Sequence, residues 1–119
     1  WQAKLSDGQE FNTPLVIGDA VAVGTEMGEI ILFDAVAGTE RWRVATEDPV
    51  SGLCVIDDTL FVVTGGALEG RRLEDGQRFL RHAIGDYVLG PVANGNGVAV
   101  VDDGGNVIVF GRDGPLDRD

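Results

Sequence analysis

Two acidic clusters are the first candidates for chemistry in this sequence. Asp57-Asp58 and Asp102-Asp103-Gly104-Gly105 bring carboxylates together, as hard cations require. A calcium loop places its oxygen ligands at alternate positions, as in D-x-D-x-D-G, and neither stretch has that spacing. Both read as solvated carboxylates in turns. His82, beside Arg81, has no partner at metal spacing and reads as a surface or capping residue rather than a base. Cys54 is the single cysteine, which excludes an intrachain disulfide and a cysteine-based zinc site. Its neighbours Leu53, Val55 and Ile56 make it a buried structural thiol. Ser6 and Ser51 stand in no triad context. Gly65-Gly66 and Gly104-Gly105 read as hairpin turns, because no helix follows them to complete a phosphate cradle.

The composition narrows the partners. The chain has 119 residues, 20 acidic against 9 basic, for a net charge of −11, and Lys4 is its only lysine. A surface this acidic repels phosphate backbones and anionic membranes, so nucleic acid is excluded as a partner. Acidic, arginine-rich, lysine-poor composition is shared with proteins of high-salt cells. No apolar run approaches the ~20 residues of a membrane-spanning helix, so no membrane insertion is expected in this segment. A chain that opens on Trp1 rather than Met is expected to have sequence upstream.

The elements that must position these residues come from a repeat. Asp19-Ala20-Val21-Ala22-Val23, Asp58-Thr59-Leu60-Phe61-Val62 and Asn96-Gly97-Val98-Ala99-Val100 align at intervals of roughly 38 residues. The alignment extends upstream to Pro14, Leu53 and Pro91, and downstream to Gly38, Gly76 and Gly114. Each copy reads as short strands cut by turns. In the first copy these are about 13–17, 20–25, 29–34 and 39–45. The second gives about 51–56, 59–64, 70–73 and 77–83. The third gives about 90–94, 97–102 and 106–111, with no good fourth strand after Gly114. The runs Ile30–Phe33, Leu60–Val63 and Val107–Phe110 are apolar on both faces of a sheet, which alternation in a two-layer sandwich would not produce. A parallel α/β sheet would need amphipathic crossover helices, and the chain has none. The expectation is an all-β chain of about three four-stranded antiparallel blades of a β-propeller, each blade covered by a neighbour on both faces. Its segments are 1–10 (the outer strand of a preceding or shared blade), 11–46, 47–84 and an incomplete blade at 85–119. Val21, Val23, Ile31, Phe33, Leu60, Val62, Val100, Ile108 and Phe110 are the expected core. The arginines at 41, 43, 71, 72, 78 and 81 are expected on strands at the surface, paired with Glu47-Asp48, Glu74-Asp75 and the acidic C-terminal residues.

One stretch is more specific. Val23-Gly24-Thr25-Glu26-Met27-Gly28 followed by Asp34, Gly38 and Trp42 resembles the repeat of PQQ-like propellers, the quinoprotein and BamB-type group, with its V-G-T-x-x-G turn and tryptophan-docking motif. The resemblance assigns Asp34, Gly38 and Trp42 structural roles. The aspartate accepts hydrogen bonds from turn amides, the glycine takes a positive φ, and the tryptophan packs between blades. Trp1 looks like the same docking residue from a preceding blade. Leu32 stands where a small alanine is usual, and Phe79 or Leu80 replaces the tryptophan in the second copy.

Two functions follow from the resemblance. The first is a non-catalytic propeller module, an interaction or ligand-binding scaffold within a larger PQQ-like protein, with no catalytic residue, cofactor or metal of its own. It would meet a protein partner, or copies of itself, through blade faces and edge strands. The alternative is a fragment of a quinone-dependent dehydrogenase, which needs a tryptophan-sandwiched quinone, a calcium and usually an adjacent cysteine pair; a single cysteine rules out the pair. A sugar- or peptide-binding propeller is a third reading. The resemblance favours an extracytoplasmic or cell-surface location.

Overall fold

The computed structural model describes residue 2 and residues 14–85, 88–94, 97–111 and 114–115. The described residues form three four-stranded antiparallel sheets, each a simple meander. The first comprises β1 (Leu15–Ile17), β2 (Ala20–Gly24), β3 (Glu29–Asp34) and β4 (Glu40–Ala45). The second comprises β5 (Val50–Ile56), β6 (Thr59–Thr64), β7 (Ala67–Arg72) and β8 (Arg78–Ala83). The third comprises β9 (Val88–Asn94), β10 (Gly97–Asp102), β11 (Val107–Gly111) and β12 (Gly114–Pro115). The fold is a set of propeller blades stacked face to face.

Turn chemistry dictates these breaks. Gly65 and Gly66 both take positive φ, as a two-residue hairpin turn with right-handed strand twist requires. That turn starts β7 at Ala67, earlier than the sequence suggests, because Glu69 and Gly70 interrupt the apolar run that marks a strand. The third blade also has a fourth strand where none was expected. It is the short β12, paired through Phe110 with Pro115 and Gly111 with Gly114. Trp1 and the other residues of the expected strand at 1–5, save Gln2, lie outside the described residues.

Two apolar cores lie between the sheets. Ala20, Ala22, Ile30 and Leu32 of the first blade close on Val50, Leu60 and Val62 of the second. On its other face the second blade presents Cys54, Ile56, Phe61, Val63 and Leu68 to Val98, Val100 and Phe110 of the third. All six residues of β6 are buried, which explains a strand with no polar face. Of the expected core, Ile31, Phe33, Leu60, Val62, Val100 and Phe110 are buried, while Val21, Val23 and Ile108 are half-buried.

Candidate functional site

Of the residues singled out in the sequence, Asp34, Gly38 and Trp42 lie together where the first blade meets the second, and Trp1 lies outside the described residues. Asp34 ends β3 and organises the turn into β4. Its Oδ1 accepts hydrogen bonds from the amides of Val36 (2.9 Å) and Ala37 (2.8 Å), and its Oδ2 accepts one from Arg41 Nη2 (2.9 Å). Arg41 also lies 3.2 Å from Asp19. The Ala37 amide first, then Arg41 and the Val36 amide, hold the Asp34 carboxyl down at about 2, because each stabilises the charged form. Gly38 has φ 76° and donates its amide to the Asp34 carbonyl at 2.9 Å, so the turn needs a residue free of a Cβ penalty.

Trp42 extends from β4 into the second blade. Its Nε1 donates a 2.8 Å hydrogen bond to the Leu73 carbonyl. Its ring lies over Gly76, where a Cβ would come within 2.8 Å of the indole. Gly76 has φ 77° and closes the second blade's equivalent turn by donating to the Arg72 carbonyl. Leu80, not Phe79, takes the Trp42 position in the second blade: Leu32 pairs with Trp42 and Gly70 with Leu80. Phe79 is exposed.

Beside this joint lies a buried charge cluster that inspection of the sequence missed. Glu69 accepts from Arg71 Nε at 3.0 Å and from Arg78 Nη1 at 3.1 Å, and Arg71 Nη1 donates to the Gly76 carbonyl at 2.8 Å. Glu69 and Arg71 are both buried. Arg71 therefore departs from the expected surface arginine, and its partner is not one of the loop acids. The signal was available: Glu69 and Arg71 fall at the repeat positions of Ile31 and Phe33, on the face turned toward the preceding blade. The other expected pairings are partly met, since Arg72 reaches Glu74 and Asp75. Arg43 instead pairs with Glu29 and Glu40.

The remaining candidates are spoken for. Asp102 Oδ1 accepts from the amides of Gly104 (2.9 Å) and Asn106 (2.8 Å). The Asn106 amide and side chain, with the Gly104 amide, lower its pKa. Asp57 sits at φ 54° in the β5–β6 turn, and the Asp58 carbonyl accepts from the Leu73 amide. Burial pushes the Cys54 thiol up to about 11, which leaves it unreactive near neutral pH. His82 is half-buried, its ring tilted against Phe110 at 5.0 Å. A cleft of about 400 Å³ opens between the first two blades, with Ile17, Leu32 and Leu73 on its walls and Asp19, Arg41 and Glu74 among its charged residues.

A relative bears on the family. The outer membrane protein assembly factor BamB of Burkholderia pseudomallei (strain K96243) is 30% identical over 115 residues, which is 92% of this chain and 30% of that protein. The repeat is a PQQ-like, BamB-type β-propeller repeat. The chain thus spans less than a third of the length of that relative. BamB from Moraxella catarrhalis superposes on 84% of this chain and 34% of its own, at 20% identity and TM-score 0.72. A europium-containing methanol dehydrogenase covers 66% of this chain and 15% of its own, at 22% identity and TM-score 0.52. At these identities the solved structures speak for the fold alone. No protein-family model matches the chain.

PQQ-like propellers include quinone enzymes, and Trp42 is not placed here as a quinone platform. The Trp42 ring is held over Gly76 and its nitrogen is bound to Leu73, which leaves it no platform role. Among the described residues no group of three or more histidine, cysteine or acidic side chains could hold a metal.

Proposed function

We propose that this chain is a non-catalytic PQQ-like propeller module: an interaction scaffold within a larger repeat protein, working outside the cytoplasm. One observation carries the reading. The far face of the third blade is an apolar sheet surface, with Val92, Val107 and Val109 exposed at 63%, 64% and 38%. Within a longer propeller such a face receives a neighbouring blade, and where left open it receives a partner. The residues best suited to chemistry are meanwhile committed to holding blades together, Asp34 to its turn and Trp42 to the next blade. Similarity to an outer membrane protein assembly factor supports both the scaffold role and the location. The partner is a protein or a copy of the chain, met through blade faces and edge strands.

The competing reading is a piece of a quinone-dependent dehydrogenase. Titration with pyrroloquinoline quinone in the presence of calcium or europium separates the two. A scaffold leaves the visible spectrum of the quinone unchanged and reduces no dye in the presence of alcohol. Saturable quinone binding with alcohol-dependent dye reduction would replace the scaffold by an enzyme.

A further inference from the structure

The cleft between the first two blades, of about 400 Å³, lies at the end of the blades that carries the β1–β2, β3–β4, β5–β6 and β7–β8 turns. Its walls are apolar, with Ile17 and Leu32 from the first blade facing Leu73 from the second. Leu32 is buried, and Ile17 and Leu73 are half-buried. The polar lining is exposed: Asp19 and Arg41 on one side, Asp58 and Glu74 on the other. An apolar floor thus lies beneath a charged rim. Both walls are consecutive blades of this chain, so the cleft belongs to an internal joint of the repeat.

The same main-chain tie braces each wall. In the first blade the Ala35 amide donates to the Asp19 carbonyl at 2.7 Å, and in the second the Leu73 amide donates to the Asp58 carbonyl at 2.9 Å. Each bond joins the inner turn of a blade to its outer turn. The Trp42 indole then fastens one wall to the other through the Leu73 carbonyl. The cleft is therefore held open by main-chain hydrogen bonds and one docked ring, which makes it a preformed cavity of the size that ligands occupy.

Charge and polarity together select the occupant. The rim sets three carboxylates against one guanidinium, and Arg41 is already held by Asp34 at 2.9 Å and by Asp19 at 3.2 Å. An anion would meet its own sign. A wholly apolar occupant would cover carboxylates without giving them a partner. An aliphatic stem that ends in a cation satisfies both layers. Lysine suits the rim better than arginine, because Asp19, Asp58 and Glu74 come from three different turns. Its ammonium turns its donors freely, whereas the planar fork of arginine matches a single carboxylate. We propose that this cleft receives a lysine side chain from an extended segment of a partner protein. The proposal rests on the scaffold reading and adds to it a pocket at the turn end of the blades.

Fluorescence anisotropy of a rhodamine-labelled peptide, alanyl-leucyl-lysyl-leucyl-alanine amide, tests this on the purified chain. The expected result is saturable binding. It weakens as added sodium chloride shortens the screening length from about 10 Å at 0.1 M to about 3 Å at 1 M. The same peptide with norleucine for lysine keeps the stem, lacks the ammonium and binds about tenfold more weakly, because it leaves covered carboxylates unpaired. Glu74→Arg, at a side chain 84% exposed, leaves the strand content unchanged. It weakens the lysine peptide about tenfold, since it turns one attraction into a repulsion. Glu26→Arg makes the same charge change in the exposed β2–β3 turn at the other end of the blade and leaves the affinity unchanged. No binding of the lysine peptide overturns the proposal, as does equal affinity for the norleucine peptide. Equal losses with Glu26→Arg and Glu74→Arg also overturn it, because the peptide is then drawn by net charge alone. Spermidine that binds more tightly than the peptide overturns the protein partner in favour of a free amine. The quinone titration is read separately: a chain that binds neither peptide nor quinone loses the pocket alone, and quinone binding removes the scaffold itself.

Discussion

Trp42 and Leu73 are joined across the first two blades by a 2.8 Å hydrogen bond from indole Nε1 to the main-chain carbonyl. The bond ties the outer strand of one blade to the outermost turn of the next, and the ring fills the space that Gly76 leaves. The partner is a carbonyl rather than a side chain, so the contact depends on the path of that turn.

Trp42→Phe keeps an aromatic ring and removes the donor. It should cost about 1 kcal/mol of unfolding free energy, the usual net worth of such a bond. Trp42→Ala removes the packing as well and should cost about 2–3 kcal/mol, below the fully buried range because the side chain is half-buried. Urea unfolding followed by circular dichroism measures both. In a Trp1→Phe background the remaining indole emission should be shielded from acrylamide until the chain unfolds. Free quenching in the native state would contradict the packing seen here.

The glycine on the other side of the contact gives a second test. Gly76→Ala meets two obstacles, a positive φ of 77° and a Cβ within 2.8 Å of the Trp42 ring. The backbone term alone is about 1 kcal/mol. The ring term exists only while the tryptophan is present. Gly76→Ala should therefore be less destabilising in a Trp42→Leu background than in the wild type. The coupling is read from a double-mutant cycle of unfolding free energies. Strict additivity would mean that ring and turn do not touch.

Acid should loosen this same joint. The Asp34 carboxyl has a folded-state pKa of about 2, well below the ordinary aspartate range that the unfolded chain keeps. A depressed folded-state pKa means that the unfolded chain takes up the proton first. The contribution is fully present above about pH 4 and is lost as pH falls toward 2. Asp102 shifts in the same direction and adds to the trend. Asp34→Asn should lower the melting temperature at pH 7 and flatten its fall between pH 4 and 2. An Asp34→Asn variant with the same acid limb as wild type would remove the carboxylate from this role.

Much of this joint was legible in the sequence because it is local. Asp34, Gly38 and Trp42 are tied to one turn and one strand, and the recurring Gly38 and Gly76 announce the same turn in the next copy. The blade register was legible where apolar runs are continuous, as in Ile30–Phe33 and Leu60–Val63. It was obscured where the second copy puts Glu69 and Gly70 into its third strand, since polarity and a missing side chain both erase the apolar signal. The start of that strand is set by Gly65-Gly66 instead. The strand Gly114–Pro115 was hidden by its length and by a proline, which fits only an edge. The burial of Arg71 depends on a neighbouring blade packed against it, and no pattern within its own strand reports that.

The Glu69–Arg71 pair offers a test of how interchangeable the blades are. Their repeat counterparts Ile31 and Phe33 are buried apolar side chains. A buried ion pair gains Coulomb energy at low dielectric but must recover the desolvation of both charges. Here the geometry is good: Glu69 holds Arg71 at 3.0 Å and Arg78 at 3.1 Å, and Arg71 also binds the Gly76 carbonyl. Removing one partner leaves the other buried and uncompensated. Glu69→Gln should therefore cost about 3 kcal/mol, the lower end for a broken buried pair, because Arg78 is part-exposed and Arg71 keeps its carbonyl. The double variant Glu69→Ile with Arg71→Phe copies the first blade onto the second. It should recover most of that loss, since apolar groups of fitting volume avoid desolvating charge. Denaturant midpoints of the single and double variants decide the matter. A double variant no more stable than Glu69→Gln would show that the charges, with the Gly76 carbonyl they engage, hold the turn beneath Trp42 in a way apolar packing cannot replace.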